Sequence, residues 1–361
     1  MNATSALPHS SPRASPVRWA AVAAAALAGL GAARVLSTHG VFSHTVDEPA
    51  HIATGLQWLS EGVYDLEWQH PPLARVAAAL GPFLAGRSAG QGDMWAQGRH
   101  ILYDSGDYVG TLALARLGNL PFFLGACAAV WSWARWLLGP WPAAAAVALF
   151  STLPVVLGHA AVATTDMAVT ATVAAALLAF ARWLDVPDRR RALWLGAAVG
   201  AAVLSKFTAL VFLPAAAVAL VACRALLGPR TAPHLRERAR DLAVAFALAS
   251  ALVWAGYRFS FGTLAAQAAQ AGRTAETIDR NFAGAGPLSR LTRAAVYSLP
   301  VPAPELALGL NHVRKHTVTG HHSYLLGRYG RTGWWYFFPV ALAVKTPIGF
   351  LALAALGTAL L

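Results

Sequence analysis

The sequence predicts an all-α polytopic membrane protein. Of its 361 residues, 57% are hydrophobic and only 12% are charged, whereas a soluble domain carries about 25% charged residues. Apolar runs long enough to cross about 30 Å of hydrocarbon recur along the chain. The formal net charge of +12 is explained by basic loops between spans, which attract anionic headgroups and fix orientation. Such a composition argues against a large soluble core and against a nucleic-acid partner.

The apolar runs define the predicted spans. They lie near residues 17–36, 116–137, 141–161, 167–184, 192–222, 241–259 and 334–361. The run at 192–222 is too long for one crossing and is interrupted by Ser205-Lys206, which predicts two short helices meeting near that lysine. A weaker apolar run covers 73–89.

Basic loops predict the orientation of these spans. Residues 188–191 and 224–240 are rich in arginine and are placed in the cytoplasm. The outer side then contains Asp47, Asp166 and Lys206. If the weak run at 73–89 crossed the membrane, every later helix would be inverted, so we expect an interfacial helix on the outer face.

The same pattern divides the chain into segments. Residues 1–16 are predicted to be a disordered cytoplasmic N-terminus, and residues 17–361 form the transmembrane domain. Within that domain, 37–115 is the first outer loop with interfacial helices, and 260–332 is a long outer loop. The chain ends inside an apolar run, which predicts a domain truncated at its C-terminus.

Three acidic residues are candidates for chemistry on the outer side. Asp47 and Glu48 follow the first span, where a carboxylate can act as a general base at the membrane surface. The alternative is that Asp47 only caps a helix beginning at Pro49. Asp166 is a second carboxylate or, alternatively, another helix cap. Asp47 and Asp166 together could hold a divalent cation through oxygen ligands or orient an acceptor hydroxyl.

Several basic side chains are candidates for binding a phosphate. His70 precedes two prolines that fix the backbone, and with Arg75 it is predicted to donate to an anionic headgroup. The alternative is a rigid turn and nothing more. Lys345 lies inside the last span, Arg258 ends an earlier one and Lys206 interrupts another. Each is predicted to pair with the phosphate or, alternatively, to snorkel toward the interface.

Read in order, these motifs resemble bacterial members of the dolichyl-phosphate-mannose–protein mannosyltransferase family. They are similar, more distantly, to the aminoarabinose lipid A transferases, and both groups belong to the GT-C superfamily. The motifs are Asp47-Glu48-Pro49-Ala50-His51, His70-Pro71-Pro72-Leu73, Thr164-Thr165-Asp166-Met167, Ser205-Lys206-Phe207, Gly333-Trp334-Trp335-Tyr336-Phe337-Phe338-Pro339 and Lys345-Thr346-Pro347. The resemblance runs from about Arg18 onward.

The resemblance implies a GT-C-type helix bundle in the cell (inner) membrane with its active site on the extracytoplasmic face. It implies a polyprenyl-phosphate-linked sugar as donor and a protein, lipid or glycan as acceptor. Asp47, with Glu48 beside it, corresponds to the catalytic or acceptor-binding carboxylate. Asp166 corresponds to the second outer-loop aspartate, and His70 to a basic residue near the donor phosphate. Direct attack on the anomeric carbon would invert it.

A second class of function stays open, namely a polytopic transporter or lipid-handling protein without catalysis. It accounts for the spans, the basic loops and the charge of Lys345. Transporters, however, more often place charged residues in paired broken helices that arise from repeats. This chain has its acids in loops and shows no internal repeat or glycine-rich phosphate loop, which favours the enzyme.

Overall fold

The structure, a computed structural model, describes residues 16–227, 235–282, 289–320 and 322–359. The predicted disordered N-terminus, apart from Pro16, lies outside the described residues. The middle of the arginine-rich segment 224–240 lies outside them too.

The described chain is helical apart from two short antiparallel strand pairs, which confirms the all-α prediction. The helices are α1 (Pro16–Thr38), α2 (Glu48–Ser60), α3 (Pro72–Leu84), α4 (Met94–Tyr103), α5 (Tyr108–Leu117), α6 (Leu120–Leu138), α7 (Pro140–Thr152), α8 (Pro154–Ala160), α9 (Asp166–Asp185), α10 (Arg189–Ser205), α11 (Ala209–Leu227), α12 (Leu235–Gly256), α13 (Leu264–Gln270), α14 (Ala275–Phe282), α15 (Ser289–Ser298), α16 (Pro304–Thr319), α17 (Phe337–Lys345) and α18 (Ile348–Ala359). The strands are β1 (Phe261–Gly262), paired with β2 (Val301–Pro302), and β3 (Ser323–Leu325), paired with β4 (Arg328–Gly330).

Among the described residues, five to seven segments are long and apolar enough to cross a membrane, by length and composition. Five are α1, α5 with α6, α9, α11 and α12. Two more are bent pairs, α7 with α8 at 66° and α17 with α18 at 114°. The predicted break near Lys206 is confirmed, because α10 ends at Ser205 and α11 begins at Ala209. Neither helix is short, however, and α11 can cross alone.

The spans form one bundle through successive pairs of neighbours. Helix α1 packs on α7, α7 on α6, α6 on α9, α9 on α10, and α10 on α12. Small residues permit the closest approach, since a Cβ on Gly196 would lie 2.5 Å from the carbonyl oxygen of Ala245. Small residues at helix contacts are typical of membrane bundles, where close backbone packing replaces the hydrophobic driving force.

Helices α2, α3 and α4 form a layer at one end of the bundle. Helix α2 packs on α3 and α4, while α3 contacts α5 and α10. A Cβ on Gly55 in α2 would lie 2.0 Å from the carbonyl oxygen of Arg75 in α3, so the two backbones touch. Helix α3 is apolar, but with 13 residues it is shorter than the roughly 20 needed for a span.

The predicted long loop 260–332 is folded over the same end. Helix α13 packs on α16 and α15, and its residues share an apolar core with Tyr64 and Trp68 of the first outer loop and with Tyr257. Helices α17 and α18 differ, because among the described residues neither helix buries a single side chain.

The interfacial placement of α3 predicts a labelling pattern. With Cys223, which is exposed, replaced by serine, Ser88→Cys should react with an impermeant maleimide added outside intact cells. Val186→Cys lies between α9 and α10 and should react only after the cytoplasmic face is opened. Labelling of position 88 from the cytoplasm would contradict the interfacial assignment of α3.

Candidate functional site

The site begins with a buried ion pair between α2 and α5. Arg116 donates from Nε to Oε1 of Glu48 at 2.8 Å and from Nη2 to Oε2 at 3.0 Å. Both side chains are at most 1% exposed. Glu48 also accepts the backbone N–H of Thr45 at 2.7 Å and of Ala163 at 2.9 Å. The carboxylate therefore joins the starts of α2 and α9 to α5.

The pKa of Glu48 reports the balance of these contacts. Burial acts to raise the pKa, while the hydrogen bonds from Arg116, Ala163 and Thr45 act to lower it, and the net pKa lies below its ordinary value. Hydrogen bonds that favour the charged form have this effect on a buried carboxylate. Glu48 is thus held ionised, as a structural partner of Arg116.

Arg116 also fixes the segment that leads to Asp47. Its remaining donors bind the carbonyl oxygens of His39 at 3.0 Å, Phe42 at 2.8 Å and Ser43 at 3.0 Å. All five guanidinium N–H groups are therefore used. Asp47 follows this segment and is exposed.

The alternative interpretation of Asp47 as a helix cap is wrong in its side-chain chemistry. Asp47 occupies the N-cap position of α2, yet its side chain makes no capping hydrogen bond within the described part of the chain. Its own backbone is in the α-helical region, whereas a capping side chain usually comes from an extended residue. The carboxylate therefore faces solvent on a rigid backbone.

A second buried cluster surrounds Arg75 of α3, which is 1% exposed. Its Nε donates to Nδ1 of His51 at 3.0 Å, and its Nη1 donates to the hydroxyl of Tyr64 at 3.2 Å. Its Nη2 pairs with the carboxylate of Glu67 and lies 3.1 Å from Nδ1 of His70. Arg75 therefore holds four side chains in place.

These contacts shift the pKa values of Glu67 and His51 in the Arg75 cluster. Burial acts to raise the pKa of Glu67, but the charges and hydrogen bonds of Arg75 and His70 bring it down to about 2. Burial, followed by the positive charges of Arg75, His70 and Lys206, lowers the pKa of His51 well below its ordinary value. A neutral His51 can accept the hydrogen bond from Arg75.

Asp166 and Lys206 form the third part of the site. Nζ of Lys206 lies 2.7 Å from Oδ1 of Asp166, and Nδ1 of His159 lies 3.7 Å from Oδ2. Lys206 has an extended backbone between α10 and α11, and this break turns its side chain toward α9. The cap interpretation of Asp166 is wrong, because Asp166 is the first residue of the helix and its carboxylate binds Lys206.

The second and third clusters are neighbours. Helix α3, which carries Arg75, packs on α10, which ends next to Lys206, and the charge of Lys206 acts on His51 of the Arg75 cluster. The same end of the bundle therefore gathers His70, Lys206 and Asp166, while Glu48 ties the start of α2, and with it Asp47, to the loop before Asp166.

Two predicted phosphate ligands, Arg258 and Lys345, form no hydrogen bond or ion pair with His70, Lys206 or Asp166 in the described part of the chain. The guanidinium of Arg258 lies 4.2 Å above the ring of Trp58, a cation–π contact. Trp58 is ten residues along α2 from Glu48, or about 15 Å of helix. Lys345 is exposed at the end of α17. Arg75 is close to His70, but its donors face protein groups.

The predicted cation site has few ligands. Within the described ranges, no group of three or more His, Cys, Asp or Glu side chains is placed to hold a metal ion. One oxygen of Asp166 already binds the ammonium group of Lys206. Joint binding of a cation by Asp47 and Asp166 therefore stays a prediction without further support.

The sequence motifs assign no role to three residues of the site, Arg116, Glu67 and His51. Arg116 stands at the start of an apolar run, where a charge is costly, and this position is the signal that could have identified it. Glu67 lies between Leu66 and Trp68, and His51 lies one turn into α2. Neither has a local pattern that marks a buried partner for Arg75.

One family comparison gives a match. The model of the family described as dolichyl-phosphate-mannose-protein mannosyltransferase matches residues 114–255, a stretch that contains Arg116, Asp166 and Lys206. This confirms the resemblance seen in the motifs and indicates a membrane glycosyltransferase of the GT-C type. The match does not include Asp47 or His70. No curated protein and no solved structure matches the chain.

The buried pair predicts a large loss of stability from one substitution. Glu48→Gln leaves the guanidinium of Arg116 buried without its counter-charge, a change that costs about 3–5 kcal/mol. We expect a clear fall in the melting temperature of the detergent-solubilised protein. Arg224→Gln is the control, because Arg224 pairs with Asp185 at 3.3 Å on the exposed surface, where a pair contributes about 0–1 kcal/mol. Equal melting temperatures for the two variants would contradict the structural role of Glu48.

Proposed function

We propose that this protein transfers a sugar from a polyprenyl-phosphate donor to an acceptor hydroxyl on the extracytoplasmic side, with Asp47 as the general base. One observation carries the proposal. A solvent-facing carboxylate stands on a backbone fixed by Glu48 and Arg116, at the end of the bundle where Lys206 supplies a positive charge and His70 a hydrogen-bond donor.

The basic side chains stabilise the phosphate leaving group. As the bond between the anomeric carbon and the phosphate oxygen breaks, negative charge collects on the lipid phosphate. Positive groups held in place before the reaction stabilise that charge most effectively. Lys206 has three ammonium protons, so it can keep its contact with Asp166 and still donate to a phosphate. His70 contributes a second donor.

Asp47 activates the nucleophile, which is the acceptor hydroxyl. It accepts the proton of the acceptor hydroxyl while that oxygen attacks the anomeric carbon, and the phosphate leaves with the bonding electrons. A single displacement of this kind inverts the anomeric centre. A retaining route would need a second carboxylate as nucleophile about 5–5.5 Å away, and the carboxylate adjacent in sequence, Glu48, is buried and engaged by Arg116.

The buried residues act by positioning. Glu48 and Arg116 hold the segment that carries Asp47, and Arg75 with Glu67 holds His70 in place. Asp166 orients Lys206 across the break between α10 and α11. Arg258 contacts Trp58 and Lys345 is exposed at the end of α17, so the proposal gives the main phosphate contacts to Lys206 and His70.

The first test concerns Asp47. Membranes that contain the protein are incubated with a panel of polyprenyl-phosphate sugars, and release of each labelled sugar from its lipid is followed. Asp47→Asn should lower the transfer rate by about a hundredfold or more, because a general base contributes about 10²–10⁴. Glu61→Gln is the matched control, since Glu61 is an exposed acid at the other end of α2.

The same assay separates the enzyme from a lipid-handling protein. Transfer at the normal rate by the Asp47→Asn variant would remove Asp47 as the base. Movement of intact lipid-linked sugar across the bilayer, without any cleavage of the sugar–phosphate bond by the unaltered protein, would favour the transporter class.

A second test concerns the pairing of Lys206 with Asp166. Lys206→Met and Asp166→Asn should each lower kcat/KM for the lipid-linked donor. The double variant should lose less than the sum of the two, with a coupling energy of about 0.5–3 kcal/mol, because either change already breaks the 2.7 Å contact. Strictly additive losses would show that the two side chains act independently.

A further inference from the structure

A small cavity lies beside the segment that carries His70, on the side of the folded outer loop. Its volume is about 180 Å³. Its apolar part includes Trp68 and Leu308, which belong to the buried core of this region. Its polar lining consists of Arg273, Asn311, His312 and Lys315. None of the lining residues that the structure describes is acidic.

Helix α16 supplies most of the polar lining. Lys315 lies four residues after Asn311 and three after His312, which places the three on one side of the helix. Arg314 donates to Oδ1 of Asn311 from Nε at 3.2 Å and from Nη2 at 2.9 Å. The amide oxygen is thereby occupied, so the nitrogen of Asn311 is the end available to donate to a ligand.

The cavity is built rigidly onto the proposed transfer site. A Cβ on Gly309 of α16 would lie 2.3 Å from the carbonyl oxygen of Trp68, so the helix backbone rests directly on this segment. The indole N–H of Trp68 donates to the carbonyl oxygen of Tyr64 at 2.8 Å, and the hydroxyl of Tyr64 binds Arg75. The occupant of the cavity would therefore lie two residues from His70.

We infer that this cavity binds an acidic sugar of the acceptor, meaning a single sugar ring that carries a carboxylate or phosphate. The assignment to the acceptor rests on the proposed function. Arg273 and Lys315 are positively charged, and no lining residue that the structure describes is acidic, which favours an anion because charge-assisted hydrogen bonds are the strong ones. Burial lowers the pKa of His312, so this side chain contributes as a neutral hydrogen-bonding group. Trp68 and Leu308 close the apolar side of the cavity. Drug-sized ligands fill about 300–1,000 Å³, so this smaller volume suits one compact ring better than an extended peptide.

The test measures binding alone and needs no sugar transfer. The full chain in nanodiscs of uncharged phosphatidylcholine is titrated calorimetrically with glucuronate, glucose, inorganic phosphate and a short acidic peptide. Glucuronate should bind most tightly. Arg273→Gln and Lys315→Gln should each weaken its binding by about tenfold, the equivalent of one hydrogen bond to a charged group.

Arg328→Gln is the control, because it removes an exposed charge from β4 in the same outer loop and should leave binding unchanged. Equal affinity for glucose and glucuronate, or unchanged binding in both cavity variants, would overturn the inference. Tighter binding of phosphate or of the peptide would overturn the sugar assignment. Binding of glucuronate by a protein that transfers no sugar would support the cavity and contradict the reaction, which keeps the two proposals separable.

Discussion

The buried ion pair between Glu48 and Arg116 is the constraint on which the end of the bundle formed by α2, α3 and α4 depends. An ionised group away from water is tolerated only when it is paired and hydrogen-bonded, and here all five N–H donors of the guanidinium are used, two by Glu48 and three by backbone carbonyls. Because these donors reach three carbonyl groups before α2, and the carboxylate reaches the loop before α9, these two segments and α5 cannot shift independently. The exposed position of Asp47 follows from this arrangement.

A second set of buried charges, around Arg75, is likewise paired and hydrogen-bonded. Glu67 neutralises Arg75 and also accepts a hydrogen bond through its carbonyl oxygen, Tyr64 and His51 accept two more, and His70 is left at the edge of the cluster with one quarter of its side chain exposed. Buried and accessible side chains have different roles at the site. Buried pairs fix the backbone, while the groups proposed to meet substrate, Asp47, His70 and Lys206, stay partly accessible. That division is what a preorganised site requires.

Local sequence features are misleading where a distant partner competes. Asp47 and Asp166 both stand where a helix begins, and both resemble caps. Within the described residues Asp47 caps nothing, and Asp166 instead binds Lys206, 40 positions away. Asp166 is the first residue of α9, one position beyond the N-cap Thr165, so its carboxylate is available to a partner on another helix. Likewise the polar stretch 260–332 reads as a loop, yet it folds because its scattered apolar residues meet Tyr64 and Trp68.

The sequence by itself determined the membrane class, most of the helical segments, the break at Lys206 and the family resemblance. These features depend on the length of apolar runs and on the order of short motifs, both of which can be read from local sequence. Only the tertiary structure decided the partners. Glu48 meets Arg116 across 68 positions and Ala163 across 115, and Arg258 lies over the ring of Trp58, 200 positions away. Such pairings depend on how the helices pack, and the hydropathy of a segment does not reveal which buried charge pairs with which counter-charge.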